Sequence, residues 1–341
     1  MERFTIIVVT HSPRENDSSD FFKVLKISFE SKYEYSEIGK ELLNKNDSFR
    51  VNNNVIYEYY FHTEKHFSGS KRYLAAFDMD SCLIKNECID EMADIMQVGK
   101  QVSDITALAM AGQLDFNQAL EKRLSLLSGM TRDQLDIVWS RIQLNAGTFT
   151  LIRVLKSLGY KTALISGGFT YFSRKIAAAL NIDYTVANTL EFNEDGTLTG
   201  RVIGPIINAQ MKKLIVEQIA IQNEWDASHC ITMGDGSNDK LMIEYAHFGV
   251  AYHAKPILKS ATPFHINSYP TSTLCFFLPE LLELLNTNES ESTLLGNYLM
   301  NRTYLFDLSL HDLEIDSNLF ESYKESEVKI LNEIKKRISL N

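Results

Sequence analysis

Short apolar runs alternate with longer stretches of three- and four-residue apolar spacing through the middle of the chain. The runs are YLAAF (73–77), KTALIS (161–166), YTVAN (184–188), HCITMG (229–234) and FGVAY (248–252). Strands alternating with amphipathic helices predict an open, doubly wound, mostly parallel α/β sheet covered by helices on both faces. Between the first two strands lies a long proline-free stretch, about residues 86–143, which reads as a helical insert after the first core strand.

The flanks read differently. Residues 1–70 predict a small α+β region, open to a regulatory role: a strand at Phe4–Val9, a helical stretch around Phe21–Phe29 and an aromatic strand at Val55–Phe61, closed by the Ser68-Gly69-Ser70 break. After Leu285 the polar run NTNESES (286–292) reads as a linker. A leucine-rich segment then leads to a last helix, roughly Lys324 to Ile338, in which Val328, Leu331, Ile334 and Ile338 recur at helical spacing. Lys335, Lys336 and Arg337 fall in its final turn, where cations suit the helix dipole. This helix is read as docking on its own protein, with a partner-binding or homodimer-forming role as the alternative. The division is therefore 1–70, 71–285 with its helical insert at about 86–145, and 286–341.

Composition narrows the classes. Of 341 residues, 45% are hydrophobic and 23% charged, the balance of a globular protein with a sizeable core. Lys plus Arg is 34 against 44 Asp plus Glu, a net charge of -10. That balance argues against a nucleic-acid backbone or an anionic membrane as the main partner, since both call for a basic surface. No apolar stretch approaches membrane-span length. The apolar core of the amino terminus, Ile6 to Val9, is too short for a signal peptide. The cysteines Cys82, Cys88, Cys230 and Cys275 lack C-x-x-C spacing, so reduced thiols and a cytoplasmic location are expected.

Four segments carry chemistry. YLAAFDMDSC (73–82) ends a buried strand in Asp78 and Asp80, which would face the crevice where open α/β sheets bind ligands. Two such acids could hold a hard cation while one serves as nucleophile and the other as proton carrier. ISGGF (165–169) offers the Ser166 hydroxyl and, through Gly167 and Gly168, close backbone approach to an anion at a helix start. GDGSND (234–239) aims Asp235 and Asp239 at the same crevice, with Asn238 able to orient one of them. Its five specified letters would occur by chance about once in several thousand chains of this length. Lys212, in NAQMKKL (208–214), is an ordinary helix lysine by itself but supplies the cation that a phosphate site needs. All four fall at strand ends or helix starts of one α/β unit, a constellation suited to metal-assisted phosphoryl transfer. A P-loop is not supported: Gly39-Lys40 and Gly99-Lys100 lack the upstream glycine and the following Ser or Thr.

In this order the motifs resemble the haloacid dehalogenase superfamily of phosphohydrolases, and within it the phosphoserine phosphatase family. The resemblance runs from about residue 72 to 280. Its carriers are DMDSCLIKNECIDEMAD (78–94), LDFNQALEKRLSLL (114–127), SGGFTYF (166–172), VANTLEFNEDGTLTGRVIG (186–204), NAQMKK (208–213), MGDGSNDKLMI (233–243) and AYHAKPILK (251–259). It implies that the helical insert is a cap closing over a small phosphorylated amino acid, O-phosphoserine, hydrolysed to serine as the last step of serine biosynthesis. It further implies Asp78 as the nucleophile that becomes an aspartyl phosphate and Asp80 as general acid and base. Mg2+ would be held by Asp78, the Asp80 carbonyl and Asp235. Ser166, Gly167 and Lys212 would bind the phosphoryl oxygens, supported by Asn238 and Asp239. Glu87 would meet the substrate amino group and Arg123 its carboxylate.

Two positions depart from the family pattern. Cys82 stands where Thr or Val is usual, which raises the idea of a low-pKa or oxidisable thiol beside the nucleophile. Ala146-Gly147 replaces the usual proline-glycine, a change that touches rigidity and not chemistry. The competing readings are a phosphatase or phosphotransferase for another small phosphomonoester, and a non-catalytic regulatory relative.

Overall fold

A computed structural model describes residues 2–12, 21–31, 49–51, 55–63, 73–278 and 317–339. The expected linker at 286–292, the leucine-rich segment after it and the Ser68–Ser70 break lie outside the described residues.

At the amino end, β1 (Glu2–Ser12), β2 (Phe21–Ser31), β3 (Phe49–Val51) and β4 (Val55–Thr63) form an antiparallel sheet in the order β2-β1-β4-β3. The helix expected at Phe21–Phe29 is instead strand β2, paired with β1 from Glu2↔Ser31 to Ser12↔Phe21. Phe21, Leu25 and Phe29 stand at helical spacing, but Leu25, Ile27 and Phe29 also alternate. A full ladder against a neighbouring strand overrides so weak a local preference.

The second sheet holds β5 (Leu74–Phe77), β6 (Lys161–Phe169), β7 (Tyr184–Phe192), β8 (Leu198–Ile203), β9 (Cys230–Gly234), β10 (Phe248–Tyr252) and β11 (Phe264–Ile266). Their order is β11-β10-β9-β5-β6-β7-β8, parallel except for β8, which runs antiparallel to β7. The five strands expected from sequence are all present. From β5 the chain builds outward through β6 and β7, then returns to start β9 on the other flank of β5. The order therefore reverses between β5 and β9, and the crevice for a ligand opens at the carboxyl ends of those strands. The four residues of β5 are fully buried, with Leu74 and Ala76 in one apolar core and Ala75 and Phe77 in the other. Period-two alternation thus serves two helix layers at once.

The insert after β5 is built of α1 (Cys88–Ile95), α2 (Gly99–Met110), α3 (Phe116–Ser125) and α4 (Arg132–Arg141). Asp115 with Gln118 and Thr131 with Gln134 close capping boxes, which start α3 and α4 where their sequences do. The chain enters and leaves the insert through a zipped neck. Ile84 bridges Leu144, Lys85 N–H donates to the Gln143 carbonyl at 2.9 Å, and Gln143 N–H donates to Asn86 Oδ1 at 2.9 Å. Around the sheet follow α5 (Thr148–Ser157), α6 (Thr170–Leu180), α7 (Ala209–Gln222), α8 (Lys240–Tyr245) and α9 (Pro256–Lys259).

The final helix, α10 (Ser317–Ser339), begins earlier than expected and packs against α6, α7 and β7. Its docking on its own protein agrees with the sequence reading, and the buried stripe agrees in part: Ile334 is buried and Leu331 packs against the core. Tyr323, Glu327, Ile330 and Ile334 face inward, whereas Val328 is 58% exposed; the Ile338 side chain lies outside the described residues. The inward face carries polar anchors, so an apolar count placed the stripe off its true axis. Ile330 and Ile334 contribute about 1.5–3 kcal/mol each by burial. Among the described residues, no helix is long and apolar enough to cross a membrane.

Candidate active site

Asp78 is the first residue past β5, at the reversal of strand order. Its backbone N–H still belongs to the sheet, donating to the Met233 carbonyl at 3.0 Å. The chain then makes a tight turn through Met79–Leu83, with Ser81 at φ 55. The turn brings Asp80 round, and Asp80 Oδ1 accepts from Cys88 N–H at 3.2 Å at the start of α1. Asn145, from the returning arm of the neck, donates to the Cys82 carbonyl at 2.8 Å and the Ile84 carbonyl at 3.0 Å. The turn is therefore tied to the insert at both of its exits.

Lys212, in the first turn of α7, is fully buried. Its Nζ lies 2.7 Å from Asp78 Oδ1 and 2.6 Å from Asp239 Oδ1. The other oxygen of Asp239 accepts from the backbone N–H groups of Asp235 at 3.1 Å and Gly236 at 3.0 Å. Both oxygens of Asp239 are thereby engaged. Gly234 permits this fold-back, since a Cβ there would run into the Asp239 carboxyl. Oxygens of Asp78, Asp235 and Asp239 lie within 4.8 Å of one another. Three buried carboxylates against the one buried ammonium of Lys212 leave uncompensated negative charge, which a hard divalent cation with oxygen ligands fits.

The electrostatics follow from this crowding. Burial, then Asp239, pushes the Asp78 carboxyl well above its ordinary value, against the pull of Lys212. Burial and Asp239 raise Asp235 to about 7. Asp80 is also raised to about 7, by burial and by Glu87. Burial opposes the charge on Lys212, but Asp239 and Asp78 outweigh it and hold the ammonium above its usual range.

Ser166, Gly167 and Gly168 form the break in β6, where pairing with β7 shifts register between Ile165 and Phe169. Gly168 N–H donates to Ser166 Oγ at 2.8 Å. A Cβ on Gly168 would come within 2.7 Å of Asp80 Oδ2, so glycine lets the loop close against the acid.

A cavity of about 440 Å³ joins these groups to the insert. Asp78, Asp80, Ser166, Gly167, Asp235 and Asn238 line it from the sheet side, and Glu87 and Arg123 from the insert. Lys212 and Asp239 lie behind Asp78. Every candidate residue from sequence therefore converges on one place. Glu87 accepts from Ser81 Oγ at 2.7 Å, and Arg123 Nε donates to the Ala119 carbonyl at 3.2 Å. Burial lowers the Arg123 guanidinium, opposed by Asp90 and then Glu87. Cys82 is not an activated thiol: it is buried, donates to the Met233 carbonyl at 3.7 Å, and is pushed well up by burial and Asp78.

Several residues that hold or line the site carry no signal of their own in the sequence. Asn188 donates to the Gly167 carbonyl at 2.8 Å and accepts from Ile207 N–H at 2.8 Å, pinning the loop to β7. Lys255, 3.9 Å from Asp235, and Phe116, whose ring faces Gly167, complete the rim. Each lies in a segment that carries the family resemblance, but its residue type alone gave it no role.

Comparison with known proteins agrees with this fold. The family model for haloacid dehalogenase-like hydrolases matches residues 74–247. A phosphoserine phosphatase of Archaeoglobus fulgidus is 46% identical over 193 residues, covering 57% of this chain and 56% of its own. One of Idiomarina loihiensis is 44% identical over 204 residues, covering 60% of this chain and 90% of its own. This chain thus spans little more than half of the first relative and nearly all of the second. A haloacid dehalogenase family hydrolase of Salmonella enterica serovar Typhi superposes with TM-score 0.70 at 27% identity, covering 82% of this chain and 99% of its own. A substrate-bound phosphoserine phosphatase complex superposes with TM-score 0.58 at 36% identity, covering 62% and 100%.

Proposed function

The chain belongs to the haloacid dehalogenase-like hydrolases, and from that premise we propose that it is a Mg2+-dependent, cytoplasmic phosphoserine phosphatase producing serine and phosphate. The observation that carries this reading is the Asp78 carboxylate, buried at a strand end with the Lys212 ammonium at 2.7 Å and two further carboxylates around it. A nucleophilic oxygen, a cation for phosphoryl charge and an acid-rich cation site meet at one point. The relatives carrying the phosphoserine phosphatase name at 44–46% identity support the substrate assignment.

In this reading Asp78 attacks phosphorus while Asp80, protonated, gives its proton to the departing serine oxygen. The phosphorus–ester bond breaks and an aspartyl phosphate remains on Asp78. Asp80, now ionised, takes a proton from water as that water attacks phosphorus, and the Asp78–phosphorus bond breaks to release phosphate. A carboxyl that titrates at about 7 suits both halves of this exchange. Lys212, Ser166 Oγ and the Gly167 N–H hold the phosphoryl oxygens, where transition-state charge lies. Mg2+ would supply further neutralisation of that charge, held by Asp78, the Asp80 carbonyl and Asp235. Asp239 has given both of its oxygens to Lys212 and to two backbone amides, so its part is to position those groups. Glu87 and Arg123 face the leaving group from the insert, matching one ammonium and one carboxylate.

A phosphate-release assay with Mg2+ across small phosphate esters tests the assignment. Phosphoserine is expected to exceed esters lacking the amino and carboxylate groups. Equal rates would leave a general phosphomonoesterase.

A further inference from the structure

We propose that α10 braces the phosphate-binding loop and that Glu327 is a positioning residue for it. The inference rests on the reading above that Ser166 and Gly167 hold a phosphoryl group. Nothing in the chemistry so far uses α10, which lies well beyond the family match ending at residue 247.

Loop 166–169 is the stretch where β6 leaves register with β7, so the strand ladder does not fix its shape. Two neighbours must do so. α6 continues directly from Phe169, and β7 holds the Gly167 carbonyl through Asn188 at 2.8 Å. The Glu327 carboxylate joins those two elements. Its Oε2 lies 2.6 Å from Arg174 in the second turn of α6, and its Oε1 accepts from the N–H of Ala187, next to Asn188, at 3.4 Å.

Glu327 is only 3% exposed and its Arg174 partner 15%. Burying a carboxylate is costly before pairing, and a helix that merely covered an apolar face would carry an apolar residue there. Two more anchors set the helix in register. Tyr323 donates its hydroxyl to the Ile182 carbonyl just before β7, and Arg337 donates to Gln218 Oε1 at 3.0 Å on α7, the helix that carries Lys212. The polar contacts of α10 thus go to the element that follows the loop, the element that holds its carbonyl, and the helix that brings the lysine.

The test uses the full chain with saturating Mg2+, well below the melting temperature. For Glu327→Ala, the inhibition constant for inorganic phosphate and the KM for phosphoserine should each rise about tenfold, with kcat changed less than about threefold. Glu327→Gln keeps an acceptor for Ala187 and Arg174 and should restore most of the phosphate affinity. Lys329→Ala, on the outer face of α10, should change neither constant. If Glu327→Ala does not fold, amide hydrogen exchange of the charge-free double variant Arg174→Met/Glu327→Met, which removes both links of the brace, decides. Faster exchange at Gly167 and Gly168, with Ile231–Met233 of β9 unchanged, supports the brace. A folded Glu327→Ala with wild-type phosphate affinity, or unchanged loop exchange in Arg174→Met/Glu327→Met, overturns it. Should the wild-type chain hydrolyse no phosphomonoester, the functional reading fails, while the exchange comparison still decides the brace.

Discussion

Two buried ionic clusters flank the same sheet and follow opposite charge rules. At the carboxyl ends of β5 and β9, Lys212 faces Asp78 and Asp239 with Asp235 close by, an excess of acid over base. Against β7, Glu327 meets Arg174 one to one and adds a backbone N–H. The first cluster carries more acid than base, and its Asp78 and Asp235 carboxyls are held above their ordinary range by burial and by Asp239. The second is matched in charge, although burial still holds the Glu327 carboxyl above its ordinary value and Arg174 Nε has no hydrogen-bond partner among the described residues. Imbalance marks a place that receives something; balance marks a place that holds something still.

The contrast can be broken at either end. Asp78→Asn should lower phosphate release from phosphoserine by roughly four orders of magnitude or more while the fold persists. Because it removes one of the crowded acids, melting of the metal-free variant should not fall below wild type. A lower melting temperature would show that the acid cluster is not in excess.

Arg174→Met should cost about 3–5 kcal/mol in urea unfolding, since it leaves the Glu327 carboxylate buried without its cationic partner. Adding Glu327→Met should recover most of that loss. Failure to recover it would mean that the pair contributes more than mutual neutralisation.

Metal removal probes the first cluster directly. Chelation should lower stability, by about 2.7 kcal/mol from a state with Mg2+ at a hundredfold over its Kd. The metal-free protein should also lose stability as pH rises from the ordinary carboxylate value of 3.8 through about 7, the value reached by Asp235 and Asp80. In that window the folded state binds more protons than the unfolded chain, so the slope is negative. Saturating Mg2+ should flatten it. Thermal melts at several pH values, with and without Mg2+, measure both effects.

The smallest effect belongs to the outer face of α10. Val328→Ser should shift unfolding by no more than about 0.5 kcal/mol, since this valine is 58% exposed. A larger loss would mean that the helix buries a second face.

Legibility followed locality. Asp78, Ser166 and Asp235 were readable because each follows a short apolar strand at a glycine-rich or acidic turn, and strand ends of an α/β unit share one crevice. Lys212 was a candidate only because a phosphate site needs a cation, and its phosphate-binding role came from the family resemblance; nothing in a helical lysine announces burial between two carboxylates. The stripe on α10 was legible at Leu331 and Ile334 but wrongly took in Val328, because Tyr323 and Glu327, its polar anchors, do not count as apolar. The strand at Phe21–Ser31 was missed because its partner β1 is supplied by the fold and not by its own spacing.

The sequence by itself determined the alternating α/β order, the strand ends that bear acids, the helical insert and the family. These depend on periodicity and turn chemistry within a few residues. Tertiary structure decided which charges stay uncompensated, where Asn188 and Glu327 act, and which face of the last helix is buried. Each of those is a relation between residues far apart in the chain, where burial sets the cost of a charge and only the folded partner can offset it.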